Sequence, residues 1–348
     1  MTRRQEEHLM ERNGICVAGN MIVDILYPIE RWPKQSELTT ITDGISRSTG
    51  GALCNVIVDL AKLDPELPLK AVGVIGDDTE GDFICTQLCA HQNIDMSGVV
   101  QQGSTSFTAV MSNNETKQRT FFQYRGANAL FSEAHFDWDT IGSKILHIGY
   151  ILLLDTLDQP DATYGTKMAR LLAHAQERGI QTSIDVVSEA SDRFVRLVTP
   201  ALRYTDYCVI NELEAQQTTG ICLRDENETL HPENMRDALA KLFELGVSTW
   251  AVIHCPEGGW GLDRDGHFVE EPSIPLPKGY VKGKVGAGDA FCSGVIYAAH
   301  QGLTLKEGIA LGTATAVVSL RAPGASEGLC TAQEVKQIYA DLCARAAQ

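Results

Sequence analysis

Short apolar, β-rich runs recur along the chain at Ile15–Gly19, Ala71–Ile75, Ile145–Ile148, Gln181–Val186, Tyr207–Ile210 and Trp250–His254. Runs of this length that are apolar on both faces predict strands buried inside a parallel sheet. Between them, apolar residues return at helical spacing over Ala52–Leu63, Gly81–His91, Tyr164–Arg178, Asn234–Leu245 and Thr304–Leu320. The last of these opens with Thr304 and Glu307, the two members of a capping box. Strand and helix patterns in alternation predict an α/β protein: a three-layer α/β/α sandwich on a mostly parallel sheet.

Two stretches break the alternation. Residues 22–50 carry strand-like and turn residues without a helical pattern. Residues 104–125 alternate polar and apolar through Ser106-Phe107-Thr108-Ala109-Val110, turn at Asn113-Asn114 and return through Arg119-Thr120-Phe121-Phe122. That predicts a hairpin with one wet face. Inserted strands of this kind, over about 22–50 and 104–128, are expected to form a small β lid over the ends of the main sheet; an edge extension with no moving part is the plainer alternative. Residues 1–13 are expected to be a flexible tail and 14–348 one domain.

Composition narrows the classes. The chain has 348 residues, 44% hydrophobic and 21% charged, enough for a large core. Its formal net charge of −16 argues against nucleic acid or an anionic membrane as partner, since both select basic surfaces. It leaves nucleotides open, because these need only local N–H groups, a cation or two and magnesium. The ten cysteines are scattered without a C-x-x-C pair, so free, mostly buried thiols in a reducing compartment are expected. Met1–Asn13 is charged and lacks the apolar stretch of a signal peptide, and no apolar run is long enough to span a membrane. A soluble, cytoplasmic protein is the expectation.

The densest chemistry lies at Gly286-Ala287-Gly288-Asp289. Helical spacing follows through Ala290, Phe291, Gly294, Val295, Ala298 and Ala299, and Gly302 offers a stop. The small residues therefore stand at a helix N-terminus, where backbone N–H groups are free and the dipole is positive. An anion is favoured there, and Asp289 stands beside it in the first turn. An anion cradle with an adjacent base suits phosphoryl transfer to an alcohol. First-turn Asp and turn Gly are also ordinary helix-start chemistry, so the remaining motifs must decide.

Gly50-Gly51 precede the helix bearing Asn55; Asp24 follows Gly19-Asn20 and a strand; Asn211 and Glu214 follow the strand at Tyr207–Ile210. Each has a bland reading as a helix start, a solvated loop carboxylate or a cap. A carboxylate at a strand's carboxyl end is also placed to hold hydrated magnesium. Glu257-Gly258-Gly259-Trp260-Gly261 reads as a tight turn near a nucleotide or as a hairpin. No Walker-type lysine loop is present, since Gly283-Lys284 is followed by Val285.

In this order the pieces resemble the ribokinase-like, PfkB-type carbohydrate and nucleoside kinases, from about Ile15 to Ala325. The matching stretches are Gly19-Asn20-x-x-x-Asp24, Gly50-Gly51-x-x-x-Asn55, Gly73-x-x-Gly76-Asp77-Asp78-x-x-Gly81, Gly126-Ala127-Asn128, Asn211-x-x-Glu214 and Gly286-Ala287-Gly288-Asp289. The resemblance implies an ATP- and Mg2+-dependent phosphotransferase acting on an alcohol group of a sugar or nucleoside-like molecule. Asp289 would be the base, and Gly286, Ala287 and Gly288 the anion hole. Asn211, Glu214, Gly259 and Lys284 would serve the nucleotide, with magnesium at Glu214. Asp24, Gly50, Gly51, Asn55 and Arg125 would touch the acceptor. A homodimer through the lid strands follows by analogy. Where the family usually carries Asp-Thr-Thr, this chain has Gly283, Lys284 and Val285. The missing carboxylate weakens the case for a monovalent-cation (K+) site, and Lys284 is a candidate stand-in for the ion. Two alternatives are a catalytically silent sugar- or nucleotide-binding regulator on the same fold and an NAD-dependent oxidoreductase. The second lacks the Gly-rich turn expected after Ile15–Gly19.

Overall fold

The computed structural model describes residues 12–113, 116, 118–188 and 192–346. In chain order the strands are β1 (Ile15–Gly19), β2 (Ile22–Ile29), β3 (Ser46–Gly50), β4 (Leu69–Ile75), β5 (Ile94–Gln101), β6 (Phe107–Asn113), β7 (Arg119–Tyr124) and β8 (Ile145–Ile151). They continue with a two-residue pair, β9 (Pro160–Asp161) and β10 (Gly165–Thr166). The last five are β11 (Gln181–Val186), β12 (Tyr207–Asn211), β13 (Trp250–Cys255), β14 (Gly258–Asp263) and β15 (Phe268–Pro272). The helices are α1 (Ala52–Leu63), α2 (Thr79–Cys89), α3 (Lys167–Glu177), α4 (Phe194–Leu202), α5 (Glu212–Thr219), α6 (Met235–Leu245), α7 (Ala287–His300), α8 (Leu305–Ser319) and α9 (Ala332–Ala346).

Nine strands form the main sheet in the order β15-β14-β13-β12-β11-β8-β1-β4-β5. It is parallel from β5 to β13, and β14 and β15 close one edge antiparallel. Strand β1 shows why both faces must be covered. Ile15 and Val17 enter one apolar cluster with Leu53, Ile57, Leu60, Ile84, Phe291 and Ile309, the side bearing α1, α2, α7 and α8. Cys16 and Ala18 enter the other with Leu171, Phe194, Leu197, Leu239 and Leu242, the side bearing α3, α4 and α6. The result is the three-layer sandwich expected from the alternation.

The lid is a separate four-stranded sheet, ordered β3-β2-β6-β7. β2 pairs antiparallel with β3 and parallel with β6, and β6–β7 is the expected hairpin. The turn placed at Asn113-Asn114 falls at Asn114 outside the described residues. One wet face is half right: β6 alternates, but β7, the edge strand of the lid, is exposed along its whole length, with Tyr124 resting on Phe107.

Other differences have local causes. The tail expected over 1–13 lies outside the described residues up to residue 11. Arg12 is held by hydrogen bonds to the carbonyls of Ile141 and Arg178, 2.8 and 2.9 Å, so the chain is anchored from there. α2 begins at Thr79 because Asp78 caps it, accepting from Gly81 N–H at 2.9 Å. α3 begins at Lys167, not Tyr164, because Thr166 is its cap. α4 and α9 carry no expectation from the sequence, and α5 only the helix start weighed at Asn211 and Glu214; α4 is short and contains Pro200. All ten cysteines are free, yet only Cys16, Cys54, Cys208 and Cys292 are buried, while Cys89 and Cys222 are exposed. Among the described residues no helix is long and apolar enough to cross a membrane.

Candidate active site

The carboxyl ends of β8, β11, β12 and β13 meet the N-terminus of α7, the usual place for a ligand in an open α/β sheet. A cavity of about 260 Å³ opens there, lined among others by Tyr150, Asp185, Asn211, Glu214, His254, Lys284 and Gly286–Asp289. Gly286 caps α7 with φ of 74°, left-handed backbone that glycine adopts without penalty. The first intrahelical bond runs from Ala290 N–H to the Gly286 carbonyl at 2.8 Å. Of the expected anion hole at Gly286, Ala287 and Gly288, Ala287 N–H turns to the Lys284 carbonyl at 3.4 Å, whereas the N–H groups of Gly288 and, one residue further on, Asp289 have no intrahelical acceptor and stand at the positive end of a fourteen-residue helix.

Asp289 is 6% exposed. Its Oδ2 accepts from Asn55 Nδ2 at 2.8 Å, and the Tyr150 hydroxyl lies 3.2 Å from both carboxylate oxygens. Burial pushes the Asp289 carboxyl up to about 6, while the donors on Asn55 and Tyr150 pull it back toward ionisation. Asn55 reaches it because Gly51 starts α1 one turn earlier.

Asn211 and Glu214 form a capping box on α5. Asn211 Oδ1 accepts from Glu214 N–H at 2.9 Å, and Glu214 Oε2 accepts from Asn211 N–H at 2.9 Å. The capping role and the cavity-lining role coexist, because Glu214 Oε1 turns to the Ser188 hydroxyl at 2.8 Å. Burial raises the Glu214 carboxyl to about 7, opposed by the Asn211 and Ser188 donors.

A second cavity, about 280 Å³, lies under the lid, lined among others by Asp24, Arg47, Thr49, Arg119, Val285 and Ala325. It adjoins the first across the loop 284–286, since Lys284 and Gly286 line one and Val285 the other. Asp24 lies on β2 opposite Ser48 of β3 and Thr108 of β6, not in a loop. Gly50 lets it sit close: a Cβ there would stand 2.4 Å from Asp24 Oδ2.

Not every expected residue converges. Arg125 lines neither of these cavities; it donates to the Leu152 carbonyl at 3.1 Å and pairs with Asp155 at 3.0 Å. Gly259 lies inside β14, where a Cβ would meet Ile309 and Phe291 at 2.9 Å, so it serves packing and does not line the nucleotide-side cavity. Gly283 presses on the carbonyls of Pro323 and Ala322, which leaves no room for a side chain. Asn128 holds the Asn20–Met21 loop by bonding both Met21 N–H and C=O. Sequence reasoning misses Tyr150, Ser188 and His254. Tyr150 carries the one weak signal, a polar tip near the end of a mostly apolar strand, but its left-handed backbone (φ 62°) is invisible in sequence.

Residues 12–332 match the model of the pfkB family carbohydrate kinases. The chain belongs to this family. This PfkB-family carbohydrate kinase is 22% identical to a 5-dehydro-2-deoxygluconokinase of Listeria innocua, over 96% of this chain and 98% of that protein. It is 24% identical to a 2-dehydro-3-deoxygluconokinase of Bacillus subtilis, over 86% and 87%. Its fold superimposes on Arabidopsis thaliana ribokinase complexed with ribose and ATP at a TM-score of 0.78, with 21% identity, covering 94% of this kinase and 98% of that chain. The ribokinase-like fold and the carbohydrate-kinase class read from the motifs are therefore correct, and the oxidoreductase alternative is set aside.

Proposed function

We propose that this kinase moves the terminal phosphoryl group of ATP onto a hydroxyl of a sugar acid, with Asp289 as general base. The supporting observation is the juxtaposition of a buried, raised carboxyl with the free N–H groups of the same helix turn, at a cavity that adjoins a second one under the lid. Asp289 is ionised above about pH 6 and has Asn55 and Tyr150 to hold its orientation. It accepts the hydroxyl proton as the acceptor oxygen attacks. The N–H groups of Gly288 and Asp289 and the helix dipole oppose the negative charge that grows on the phosphoryl oxygens.

Magnesium fits the donors present: Glu214 is a cavity carboxylate whose oxygens each accept one hydrogen bond and keep lone pairs for water. Bound with the nucleotide, it would neutralise phosphate charge. Lys284, exposed at the mouth of the same cavity, adds a cation where the family usually has none, which supports its standing in for a monovalent ion.

The acceptor side supports an anionic sugar. Asp24 is suited to accept from sugar hydroxyls, and Arg47 and Arg119 bring two guanidinium groups to a cavity of a strongly acidic protein. Among the described residues Arg47 has one long ion-pair contact, 3.7 Å to Glu80. Two similar proteins bear the names of deoxygluconate kinases, and deoxygluconates are sugar acids. Gly50, Gly51 and Asn55 line neither cavity: Gly50 packs on Asp24, Gly51 on Asn20, and Asn55 holds Asp289, so they bear on the acceptor only through those neighbours, whereas Arg125 is taken up by Asp155. The exposed edge β7, with Phe121 and Phe122 64% and 58% exposed, supports a homodimer through the lid. The free thiols suit a reducing, cytoplasmic setting.

The test is ADP release with Mg2+-ATP and a panel of neutral sugars, sugar acids and nucleosides. Turnover with sugar acids, lost selectively in Arg47→Met and Arg119→Met, is expected. Turnover with neutral sugars only would reject the anionic acceptor. No turnover with any acceptor, together with sugar binding by calorimetry, would favour the silent regulator.

A further inference from the structure

Behind the base, on the sheet face covered by α1 and α7, lies a polar group that the proposed reaction does not use. His147 on β8 is opposite Ser183 on the parallel neighbour β11, and Asp185 follows two residues on, toward the same side. Cys292 on α7, three residues past Asp289, comes down on them. His147, Asp185 and Cys292 are 0%, 7% and 2% exposed. One ligating atom of each lies within 4.8 Å of the other two.

The imidazole is set up asymmetrically. His147 Nδ1 is 3.0 Å from the Ser183 hydroxyl, while Nε2 is fully buried and has no partner among the described residues. With Nδ1 protonated and donating to Ser183, Nε2 presents a bare lone pair, which is costly in an apolar interior. A metal-bound histidine has this arrangement: one nitrogen anchored on an oxygen, the other free to ligate. Asp185 is anchored too, its Oδ1 accepting from Tyr150 N–H at 2.8 Å. Imidazole, carboxylate and thiolate are the three zinc ligand types. Asp185 and Cys292 also line the nucleotide-side cavity, which gives an ion a way in and a fourth position for water.

We propose that His147, Asp185 and Cys292 form a binding site for a zinc-class divalent ion, reached from the nucleotide-side cavity, through which such ions inhibit the enzyme. Binding releases the Cys292 thiol proton and the Asp185 carboxyl proton, both retained by burial in the metal-free protein, and no electron is transferred. Tetrahedral zinc at about 2.0–2.3 Å sets its ligand atoms about 3.6 Å apart, so the trio, whose atoms lie within 4.8 Å of one another, must close by up to about 1 Å. The site is therefore weaker than a structural zinc site, and its ion exchanges. Occupancy acts on catalysis through two direct links: Cys292 shares a helix turn with Asp289, and Asp185 holds the backbone of Tyr150, whose hydroxyl rests on Asp289.

The inhibitory part rests on the kinase reading; the binding part does not. Reduced, chelator-treated full-length protein is titrated with Co2+ and read by visible absorption. Expected are the strong bands of tetrahedral cobalt, a thiolate-to-cobalt charge-transfer band and displacement by Zn2+. The charge-transfer band should vanish in Cys292→Ser and Cys292→Ala, and affinity should drop at least tenfold in His147→Gln, with thermal melts confirming that each variant folds. A spectrum of six-coordinate aquo cobalt only, or an unchanged charge-transfer band without Cys292, overturns the site. If cobalt binds as described but Zn2+ leaves ADP release unchanged against a chelator control, the inhibitory role falls. If no acceptor turns over at all, the spectra still decide the site.

Discussion

Replacing Asp289 with Asn should disable the enzyme and stabilise its fold in the same stroke. Burial raises the folded-state carboxyl from 3.8 to about 6. For a group shifted this way, stability is fully present below the unfolded value and lost as pH rises through the folded one. At about 1.36 kcal/mol per unit, the raised Asp289 carboxyl costs about 3 kcal/mol of stability at pH 8 and about half that at pH 5. Asn is nearly isosteric, and its Oδ1 can still accept from Asn55 and Tyr150, so most of this cost is removed. Asp59 and Asp185, buried carboxyls raised further by Asp289's charge, gain as well. For a chain of this length the gain is worth several degrees in Tm. The assay is calorimetric melting of both proteins without ligands at pH 5 and pH 8, beside ADP release. Asn should melt higher at pH 8, with about half that advantage at pH 5, and turn over about 10²–10⁴-fold more slowly, the usual worth of a general base. A variant that melts lower at pH 8, or whose advantage grows toward pH 5, would refute the claim that Asp289 is held ionised against its burial. Near-wild-type turnover with every acceptor would remove it as the base.

Other substitutions probe the neighbours. Tyr150→Phe removes a donor that favours ionised Asp289, so the acid limb of the kcat/KM–pH profile should move to higher pH; an unmoved limb would show that the hydroxyl does not act on the base. Gly288→Val should weaken ATP binding and rate together, because a Cβ there already meets His254 Cε1 at 3.2 Å and the branch crowds the helix mouth; unaltered ATP affinity would contradict the phosphate cradle. Lys284→Met should raise the KM for ATP several-fold and leave thermal stability unchanged, and no change in either ATP affinity or turnover would reject its role near the phosphates. Glu214→Gln should raise the Mg2+ concentration needed for half-maximal rate, an effect absent if the carboxylate only caps α5.

Much of this architecture was legible because burial on two faces leaves a plain mark: β1, β4, β8 and β13 are apolar runs in sequence and buried strands in the fold. The start of α8 was legible through its Thr304–Glu307 box. α5 was hidden, since its eight residues have polar and buried positions mixed and its cap is also the candidate magnesium site. The base and its helix turn could be read from local spacing. Its partners could not, as Asn55 and Tyr150 lie 234 and 139 residues away in sequence and reach Asp289 only through sheet order. Gly259 misled because a glycine kept for contact with Phe291 and Ile309 looks, in sequence, like one kept for a ligand. Arg125 misled likewise, for its Asp155 partner is a tertiary contact.

The central claim is that one helix mouth brings a phosphate and an alcohol oxygen to Asp289. A crystal structure with a non-hydrolysable ATP analogue, Mg2+ and the best acceptor from the panel tests it most directly. The account predicts the terminal phosphate on the N–H groups of Gly288 and Asp289, with an acceptor hydroxyl hydrogen-bonded to the Asp289 carboxylate. A nucleotide seated away from α7, or an acceptor whose hydroxyls all face away from Asp289, would contradict it.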